Sequence, residues 1–330
     1  MSTLSTQSST RSKLEEVASL RIRDAVGRAL VELGEIDKDM VVVTADVARS
    51  TRTAWFGERY PERFVNVGIG EQDLVDFAAG LALAGKRPWA AAFAMFMMRA
   101  WEQIRNTIDR MRLDVKLLAT HSGFSDHGDG ASHQSLEDIA LMRVLHNMVV
   151  VVPADALEAY KAVYKLHLEY RGPAYLRIGR DYSPRITDVD TPFEIGKANV
   201  LEDGEDLAII GCGPILYNAI QAAKILKSRK KISIAVIDMH TVKPIDRETI
   251  VKYASRTGLV VTVEEHFTRG GLGGAVAEVL AEEKPTPMLM IGARGYGHSA
   301  RSVEDLYKRH CLDPACIARL IERFLEKHRR

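Results

Sequence analysis

The stretch Val67–Gly85, VGIGEQDLVDFAAGLALAG, joins a short apolar strand to a long apolar helix and places Glu71 at the junction. Residues 63–68 (RFVNVG) have the composition of a buried strand, and residues 74–84 supply the small and aliphatic side chains of a helix packed on both sides. The helix dipole favours a carboxylate at a helix N-terminus, so the position of Glu71 has a structural explanation. The surrounding sequence decides whether Glu71 also has a chemical role.

Strands and helices alternate on both sides of this stretch. Residues 40–45 (MVVVTA) are a β-branched run that predicts a buried parallel strand, and Asp46 follows at its carboxyl end, where open α/β sheets bind ligands. Further strands are predicted at residues 88–93, 115–120, 147–152 and 174–178, with helices at residues 14–33, ending at Gly34, and at about 95–111. This alternation predicts an α/β fold with a mostly parallel sheet and right-handed crossovers.

Residues 181–192 (DYSPRITDVDTP) interrupt the alternation with two prolines and no apolar periodicity. A second α/β series follows, with strands predicted at residues 207–210, 232–237, 259–263 and 288–291 and a last helix at residues 312–328. We therefore predict a disordered polar tail at residues 1–14, a first domain at residues 15–184, a linker at residues 185–194 and a second domain at residues 195–330. Each domain is predicted to be a mostly parallel sheet flanked by helices.

The composition argues against several classes of partner. The 330 residues include 45 Lys and Arg against 44 Asp and Glu, and the net charge of +1 gives no field that would attract nucleic acid or an acidic membrane. No apolar run reaches the roughly 18 residues that a spanning helix needs. The cysteines Cys212, Cys311 and Cys316 form no zinc pattern, and the chain shows no signal peptide. We therefore expect a cytoplasmic protein in a reducing compartment.

A loop rich in histidine follows the predicted strand at residues 115–120. It reads THSGFSDHGDGASHQSLED and contains His121, His127, Asp129 and His133 among small residues. Polar side chains in a loop at the carboxyl edge of a sheet indicate a ligand site. The spacing i, i+6, i+12 lacks the i, i+4 histidine pair or cysteine partner of a zinc site, so no metal site is predicted.

Two further patterns have structural alternatives. The run FAMFMMR places Phe93, Phe96 and Arg99 at steps of three, which suits either core packing or a surface on which a flat heteroaromatic ring stacks. Residues 270–274 (GGLGG) follow a strand and open a helix, but their spacing is wrong for a dinucleotide fingerprint and favours a tight turn.

Taken together, segments from about residue 20 to residue 324 resemble the carboxyl-terminal half of transketolase. In chain order these segments are SLRIRDAVGRALVELG, TADVARST, GIGEQDLVDFAAGLA, FAMFMMRAWEQIR, ATHSGFSDHGDGASHQSLEDIALMR, YLRIGRD and VEEHFTRGGLGGAVAE. The resemblance implies a pyrimidine-binding domain followed by a transketolase C-terminal-type domain. The family's amino-terminal domain, which holds the diphosphate and its divalent metal, has no counterpart here. The chain therefore resembles one subunit of a split transketolase.

The resemblance implies roles in binding thiamine diphosphate. Glu71 would face N1′ of the aminopyrimidine and share a proton with it, which is general acid–base chemistry acting through the cofactor. Phe93 and Phe96 match the positions that stack on the pyrimidine ring, and Arg99 and Asp46 match positions near the cofactor. The partner subunit would hold Mg²⁺ or Ca²⁺.

The resemblance also implies a substrate site. His121 and His133 would contact the substrate as catalytic residues, and Asp129 would bind a sugar hydroxyl. The terminal phosphate would be held by Arg23, Ser50 and Arg180, or by Arg177 in place of Arg180, because guanidinium groups bind a dianion bidentately. The loop departs from the family pattern around His127 and at Ala131, so no role is assigned to His127.

The implied activity is transfer of a two-carbon ketol unit from a ketose phosphate, or a similar anionic sugar, to an aldose, as in pentose phosphate metabolism. The implied assembly is an α2β2 heterotetramer with a separate amino-terminal, diphosphate-binding subunit. The β subunit of a 2-oxoacid dehydrogenase shares the size, domain order and a similar acid, and a deoxyxylulose-phosphate synthase fragment shares the chemistry. A non-catalytic subunit of the same fold is a further alternative.

Overall fold

The computed structural model describes residues 11–328 and divides them into two compact units. The first unit contains residues 11–120, 146–148 and 153–193, and the second contains residues 121–145, 149–152 and 194–328. Each unit has a mostly parallel sheet flanked by helices, which confirms the predicted fold class. The histidine-rich loop is grouped with the second unit, and the domain bounds expected from the sequence stay a prediction.

The strands of the first half of the chain are β1 (Met40–Thr44), β2 (Phe64–Asn66), β3 (Arg87–Phe93), β4 (Lys116–Thr120), β5 (Val149–Val151) and β6 (Ala174–Arg177). Within the first unit the sheet has the order β6-β4-β3-β1-β2, and every pairing is parallel. Strands β1 and β4 are buried along their whole length, as expected for a sheet covered by helices on both faces. Their carboxyl ends lead directly towards Asp46 and His121.

The helices of this part of the chain are α1 (residues 11–18), α2 (Ile22–Ile36), α3 (Ala48–Thr51), α4 (Ala54–Arg59), α5 (Glu71–Leu83), α6 (Ala94–Met97), α7 (Trp101–Gln103), α8 (Asp138–Arg143) and α9 (Ala156–Leu168). Helix α8 belongs to the second unit and the others to the first. Short 3-10 turns at Pro61–Arg63 and Met98–Ala100 and a π-helical turn at Ile104–Asp109 complete the set.

Two helix predictions were wrong in detail. The segment predicted as one helix at residues 14–33 is interrupted at residues 19–21, and α2 continues past Gly34 to Ile36. A Cβ atom at Gly34 would lie 2.5 Å from the Phe56 ring and 2.6 Å from the Tyr60 ring, so this glycine permits close packing and does not end the helix. The segment at residues 95–111 is divided into α6, α7 and irregular turns, because Ala100 leaves the helical region at φ −105° and ψ 17°.

The predicted disordered tail covered residues 1–14. Residues 1–10 lie outside the described residues, and residues 11–14 are helical because they belong to α1. Val17 and Ala18 are buried at the end of this helix, and Lys13 forms an ion pair with Glu32 at 2.8 Å. Burial and this ion pair hold the end of the polar segment on the first unit.

The strands of the second unit's carboxyl-terminal part are β7 (Asn199–Glu202), β8 (Leu207–Gly211), β9 (Ile234–Asp238), β10 (Thr241–Lys243), β11 (Val260–Phe267) and β12 (Met288–Ala293). The sheet has the order β12-β11-β8-β9-β7, in which only β7 is antiparallel, and β10 pairs antiparallel with β5. The helices are α10 (Leu216–Lys230), α11 (Arg247–Thr257), α12 (Leu272–Glu283), α13 (Val303–His310) and α14 (Pro314–His328). Strands β7 and β10 were not predicted, because neither lies in a longer apolar run, whereas the equally short strands β2 and β5 do.

Cys311 and Cys316 form a disulfide with their Cα atoms 5.2 Å apart, and Cys212 is buried. This pairing differs from the expectation of reduced cysteines, which rested on their odd number and not on their proximity. Among residues 11–328, no helix combines the length and the apolar character needed to span a membrane.

A buried histidine links strand β3 to the residue that follows α2. The Trp89 indole N–H donates to His167 Nδ1 at 3.1 Å, and His167 Nε2 lies 3.0 Å from the Asp37 carboxylate. Burial, together with the nearby charge of Arg87, lowers the pKa of His167 to about 4, although Asp37 acts in the opposite direction. His167 is therefore neutral in the folded protein and accepts one hydrogen bond while donating another.

The folded protein is predicted to lose stability as the pH falls. Because the pKa of His167 is lower in the folded chain than in the unfolded chain, the unfolded chain binds the proton first, and stability is lost between about pH 6.5 and pH 4. At pH 5, His167 lowers the free energy of unfolding by about 2 kcal/mol relative to its value at neutral pH. Burial also lowers the pKa of His240 to about 4, so part of the loss persists without His167.

Thermal unfolding of the wild type and His167→Phe at pH 7.5 and pH 5 measures this effect. The variant is expected to be less stable at pH 7.5, since Trp89 loses its acceptor, and to show a smaller decrease between the two pH values. An equal decrease in both proteins would contradict the assignment.

Candidate functional site

Glu71 is the first residue of α5 and is only 5% exposed. The chain reaches it from β2 through a tight turn, in which Gly68 has φ +82° and the Gly70 N–H donates to the Gly68 carbonyl at 2.9 Å. The Glu71 carboxylate pairs with Arg99 Nε at 3.5 Å, and the Arg99 side chain is 74% exposed. A buried carboxylate at a helix N-terminus is thus held next to a cation that solvent can reach.

Two aromatic rings lie on the segment that carries Arg99. Phe93 ends β3 in an extended conformation and Phe96 lies in α6, so the two are not on one helix face as their spacing suggested. Their rings nevertheless stack, with centroids 4.9 Å apart and planes 12° from parallel. Phe93 is buried and Phe96 is half-buried. A stacked aromatic surface on the same segment as the partner of Glu71 fits a flat, protonatable ring.

Asp46 follows β1 with a left-handed backbone, φ 61°, which is uncommon outside glycine. Asn66 holds this conformation, because its side-chain oxygen accepts the Asp46 N–H at 2.9 Å and the Gly68 N–H at 3.1 Å. The Asn66 amide also donates to the Asp46 carboxylate at 3.3 Å. Asn66 therefore connects Asp46 to the turn that leads to Glu71. Asn66 was not predicted as a site residue, although a polar residue at the end of the apolar run RFVNVG was the available signal.

Three of the residues expected to bind an anion are gathered in the first unit. Arg23 is 7% exposed, its Nη1 donates to the Ser50 carbonyl at 3.1 Å, and its Nε has no hydrogen-bond acceptor among residues 11–328. Burial, and next the positive charge of Arg52, lower the pKa of Arg23. The charge of the half-buried Arg180 acts on Arg23 in the same direction. A buried guanidinium with unused donor capacity among other arginines has the charge and the donors to hold an anion.

Arg52 also belongs to this group, although it was not predicted as a site residue. Its Nε lies 2.5 Å from the Asp24 carboxylate, and its Nη1 donates to the Arg49 carbonyl at 2.8 Å. These contacts fix the position of Arg52. Arg177, the proposed substitute for Arg180, is buried in β6.

The histidine-rich loop belongs to the second unit. His121 is buried directly after β4 and has a left-handed backbone, φ 57°, while His133 is half-buried and Asp129 is exposed. His133 Nδ1 lies 3.0 Å from the Ser132 hydroxyl. His127 is tied to the backbone, because its Nδ1 lies 3.2 Å from the Ala300 carbonyl and its own carbonyl accepts the Ala300 N–H at 2.8 Å. These contacts give His127 a structural role.

The GGLGG segment opens α12, as expected for a turn before a helix. The first N–H groups of that helix are already occupied, since Leu272 and Gly273 donate to the buried Glu264 carboxylate at 2.7 and 2.8 Å. An anion site at this helix terminus is therefore filled by the chain's own carboxylate. Among residues 11–328, no group of three or more His, Cys, Asp or Glu side chains is placed to hold a metal ion.

Comparison with known proteins is consistent with this geometry. Residues 18–184 match the family described as transketolase, pyrimidine binding domain, and residues 196–317 match transketolase, C-terminal domain. A chain of Methanocaldococcus jannaschii named as a transketolase C-terminal section is 44% identical over 311 residues, covering 93% of this chain and 96% of that one. One of the subunits of the apulose-4-phosphate transketolase of Phocaeicola vulgatus is 39% identical over 300 residues, covering 90% and 95%.

A solved structure described as a split gene transketolase, inactive beta4 tetramer, has a TM-score of 0.85. It is 44% identical, and the match covers 93% of this chain and 99% of that one. The chain belongs to the transketolase family. Its two domains have the pyrimidine-binding and C-terminal folds of that family.

An anion is predicted to stabilise the isolated chain through Arg23. Inorganic phosphate at about ten times its dissociation constant should raise the unfolding temperature by about 2 °C, because it binds only the folded protein. Arg23→Met should abolish this response, and without phosphate it should be as stable as the wild type or more stable, since a buried charge without a carboxylate partner is removed. Differential scanning fluorimetry measures both effects.

The matched control is Arg59→Met, which removes one exposed arginine from α4 of the same unit. This variant should respond to phosphate as the wild type does. A phosphate response that survives in Arg23→Met, or that disappears equally in Arg59→Met, would contradict an anion site at Arg23.

Proposed function

We propose that this chain is the carboxyl-terminal subunit of a split transketolase, which transfers a two-carbon ketol unit from an anionic ketose to an aldose. The observation that carries the proposal is the Glu71 carboxylate, buried at the start of α5 and paired with an exposed arginine that a bound ring can displace. A non-catalytic subunit does not require a buried acid at this position, because the desolvation of a carboxylate opposes folding.

The pyrimidine end of thiamine diphosphate is the cofactor that these residues fit. The cofactor, when bound, supplies the nucleophilic carbon that attacks the ketose carbonyl. Glu71 shares a proton with N1′ of the pyrimidine, and Phe93 and Phe96 supply the stacking surface. Arg99 and Asp46 are assigned to the same cofactor site. The diphosphate and its Mg²⁺ or Ca²⁺ are assigned to the partner subunit.

Two groups of residues are assigned to the substrate. Arg23 and Arg180, with Ser50, bind the terminal anion of the sugar, because paired guanidinium groups hold a phosphate far from the reacting carbons and orient it. His121 and His133 contact the reacting part of the sugar as catalytic residues, and Asp129 binds a hydroxyl. A sulfonate group would accept hydrogen bonds from the same donors, so the proposed substrate class is an anionic ketose. A ketose phosphate is the first substrate of this class to assay.

The partner is an amino-terminal, diphosphate-binding subunit, and the complete enzyme is an α2β2 heterotetramer in the cytoplasm. The similar split gene transketolase is described as an inactive beta4 tetramer. By analogy we infer that this chain assembles with itself when alone and gains activity only with its partner.

Reconstitution tests the proposal directly. The chain and its diphosphate-binding partner are mixed with thiamine diphosphate and Mg²⁺ and assayed for two-carbon transfer from a ketose phosphate to an aldose, with each subunit alone as the control. Activity confined to the mixture is the expected result. Decarboxylation of a 2-oxoacid by the same mixture, without ketol transfer, would instead assign the chain to the 2-oxoacid dehydrogenases.

Glu71→Gln is predicted to lower kcat of the reconstituted enzyme by about 10²- to 10⁴-fold, because the amide cannot exchange a proton with the cofactor. Assembly should be preserved, since Gln has the same size and can still lie at the start of α5. Size-exclusion chromatography measures assembly alongside the steady-state assay. Asp73→Asn, in the first turn of the same helix, is the matched control and should retain activity. Wild-type turnover in Glu71→Gln would exclude the proposed role.

A further inference from the structure

Strand β11 carries two consecutive acids, Glu264 and Glu265, near its carboxyl end. Both residues are buried, Glu264 completely and Glu265 to all but 5%. Glu264 caps the N-terminus of α12 by accepting the N–H groups of Leu272 and Gly273. The packing of α12 does not explain why Glu265 is buried as well.

Glu265 supports the start of the histidine-rich loop. Its Oε1 accepts the Phe124 N–H at 2.6 Å. Gly123, the preceding residue, has φ +61°, and a Cβ atom there would lie 2.6 Å from the Glu265 Cδ atom. The loop backbone therefore passes over the carboxylate so closely that only glycine fits between them.

The loop closes at the same place. The Gly123 N–H donates to the Ser135 carbonyl at 3.0 Å, and Ser122 and Ser135 form an isolated β-bridge. His121 stands immediately before this closure, and His133 stands just inside it. The contact between Glu265 and Phe124 is thus made at the base of the loop, within three residues of His121.

A carboxylate buried against a backbone N–H forms a charge-assisted hydrogen bond, which is shorter and stronger than a neutral one. The Phe124 N–H supplies one of the hydrogen bonds that this buried carboxylate needs, so the contact favours the loop conformation that places the N–H group there. The next part of β11 adds a second contact, because the Phe267 N–H donates to the Leu136 carbonyl at 2.9 Å. The end of β11 is therefore hydrogen-bonded to both sides of the loop base.

We propose that Glu265 is a positioning residue. It sets the conformation of residues 121–135 of the histidine-rich loop and thereby orients His121 and His133 for the substrate. The role of the two histidines in this inference rests on the proposed function. The contact between Glu265 and the loop is independent of that function. Glu265 acts through the loop backbone and is assigned no contact with substrate or cofactor.

Hydrogen–deuterium exchange and steady-state kinetics of the reconstituted complex test the proposal together. Glu265→Leu removes the acceptor, so exchange in peptides spanning residues 121–135 should rise about tenfold, and kcat/KM for the ketose should fall by at least about tenfold. Glu265→Gln keeps an acceptor oxygen and should restore most of the loop protection and most of kcat/KM. Rescue by the amide is not expected if Glu265 acts only as a buried charge.

Gly123→Ala tests the same contact from the side of the loop, without any change in β11. It should raise exchange in residues 121–135 and lower kcat/KM as Glu265→Leu does, even if Glu265→Leu fails to fold. Glu264→Gln is the matched control, because it alters the neighbouring buried acid but should leave the exchange of the loop unchanged.

Unchanged loop exchange in Glu265→Leu and Gly123→Ala would overturn the proposed contact. Increased exchange with wild-type kinetics would overturn the positioning role. If the wild-type complex shows no ketol transfer at all, the proposed function fails. The exchange data then still report whether Glu265 holds the loop, so the two failures are distinguishable.

Discussion

The burial of the Glu71 carboxylate is the constraint on which the arrangement of the first unit depends. A buried carboxylate is unfavourable unless charges or donors compensate it, and here the N-terminus of α5 and the Arg99 guanidinium do so. The position of the acid is set by the turn before it, where Asn66 accepts the N–H groups of Asp46 and Gly68. These hydrogen bonds therefore join the end of β1 to the end of β2 and to the turn that leads into α5.

The arginines around Arg23 show a related form of preorganisation. Arg23 is buried and donates to a backbone carbonyl, whereas the Asp24 carboxylate forms its ion pair with Arg52. Positive charge is thus held in place before any ligand binds, at a cost that an incoming anion would remove. This is the arrangement expected for a site that uses a remote anionic group to orient a substrate.

The sequence predicted most of the strands and helices that follow from regular apolar patterns. Buried strands such as β1 and β4 appear as uninterrupted apolar runs, and their ends were located to within a residue or two because hydrophobic burial sets them. The junction at Glu71 was visible for the same reason. By contrast, the interruption between α1 and α2, the irregular turns after Phe93 and the short strand β7 depend on local backbone conformation, which leaves no periodic signal.

The residues missed at the site share a different property. Asn66 and Glu265 act on backbone groups that are distant in the sequence, so their importance depends on which loops the fold brings to them. A polar residue at the end of an apolar strand was the only trace in the sequence. The pairing of Cys311 with Cys316 was missed because spacing alone does not show whether two cysteines face each other.

The central claim is that Glu71 activates the cofactor through a shared proton, and exchange of the thiazolium C2 proton in D₂O measures this step without turnover. The measurement uses the complex of this chain with its diphosphate-binding partner, followed by NMR after rapid quenching. The account predicts exchange about 10²- to 10⁴-fold slower in Glu71→Gln than in the wild type, and an unchanged rate in Arg23→Met, whose guanidinium acts only on the sugar anion. Equal exchange rates in Glu71→Gln and the wild type would contradict the account.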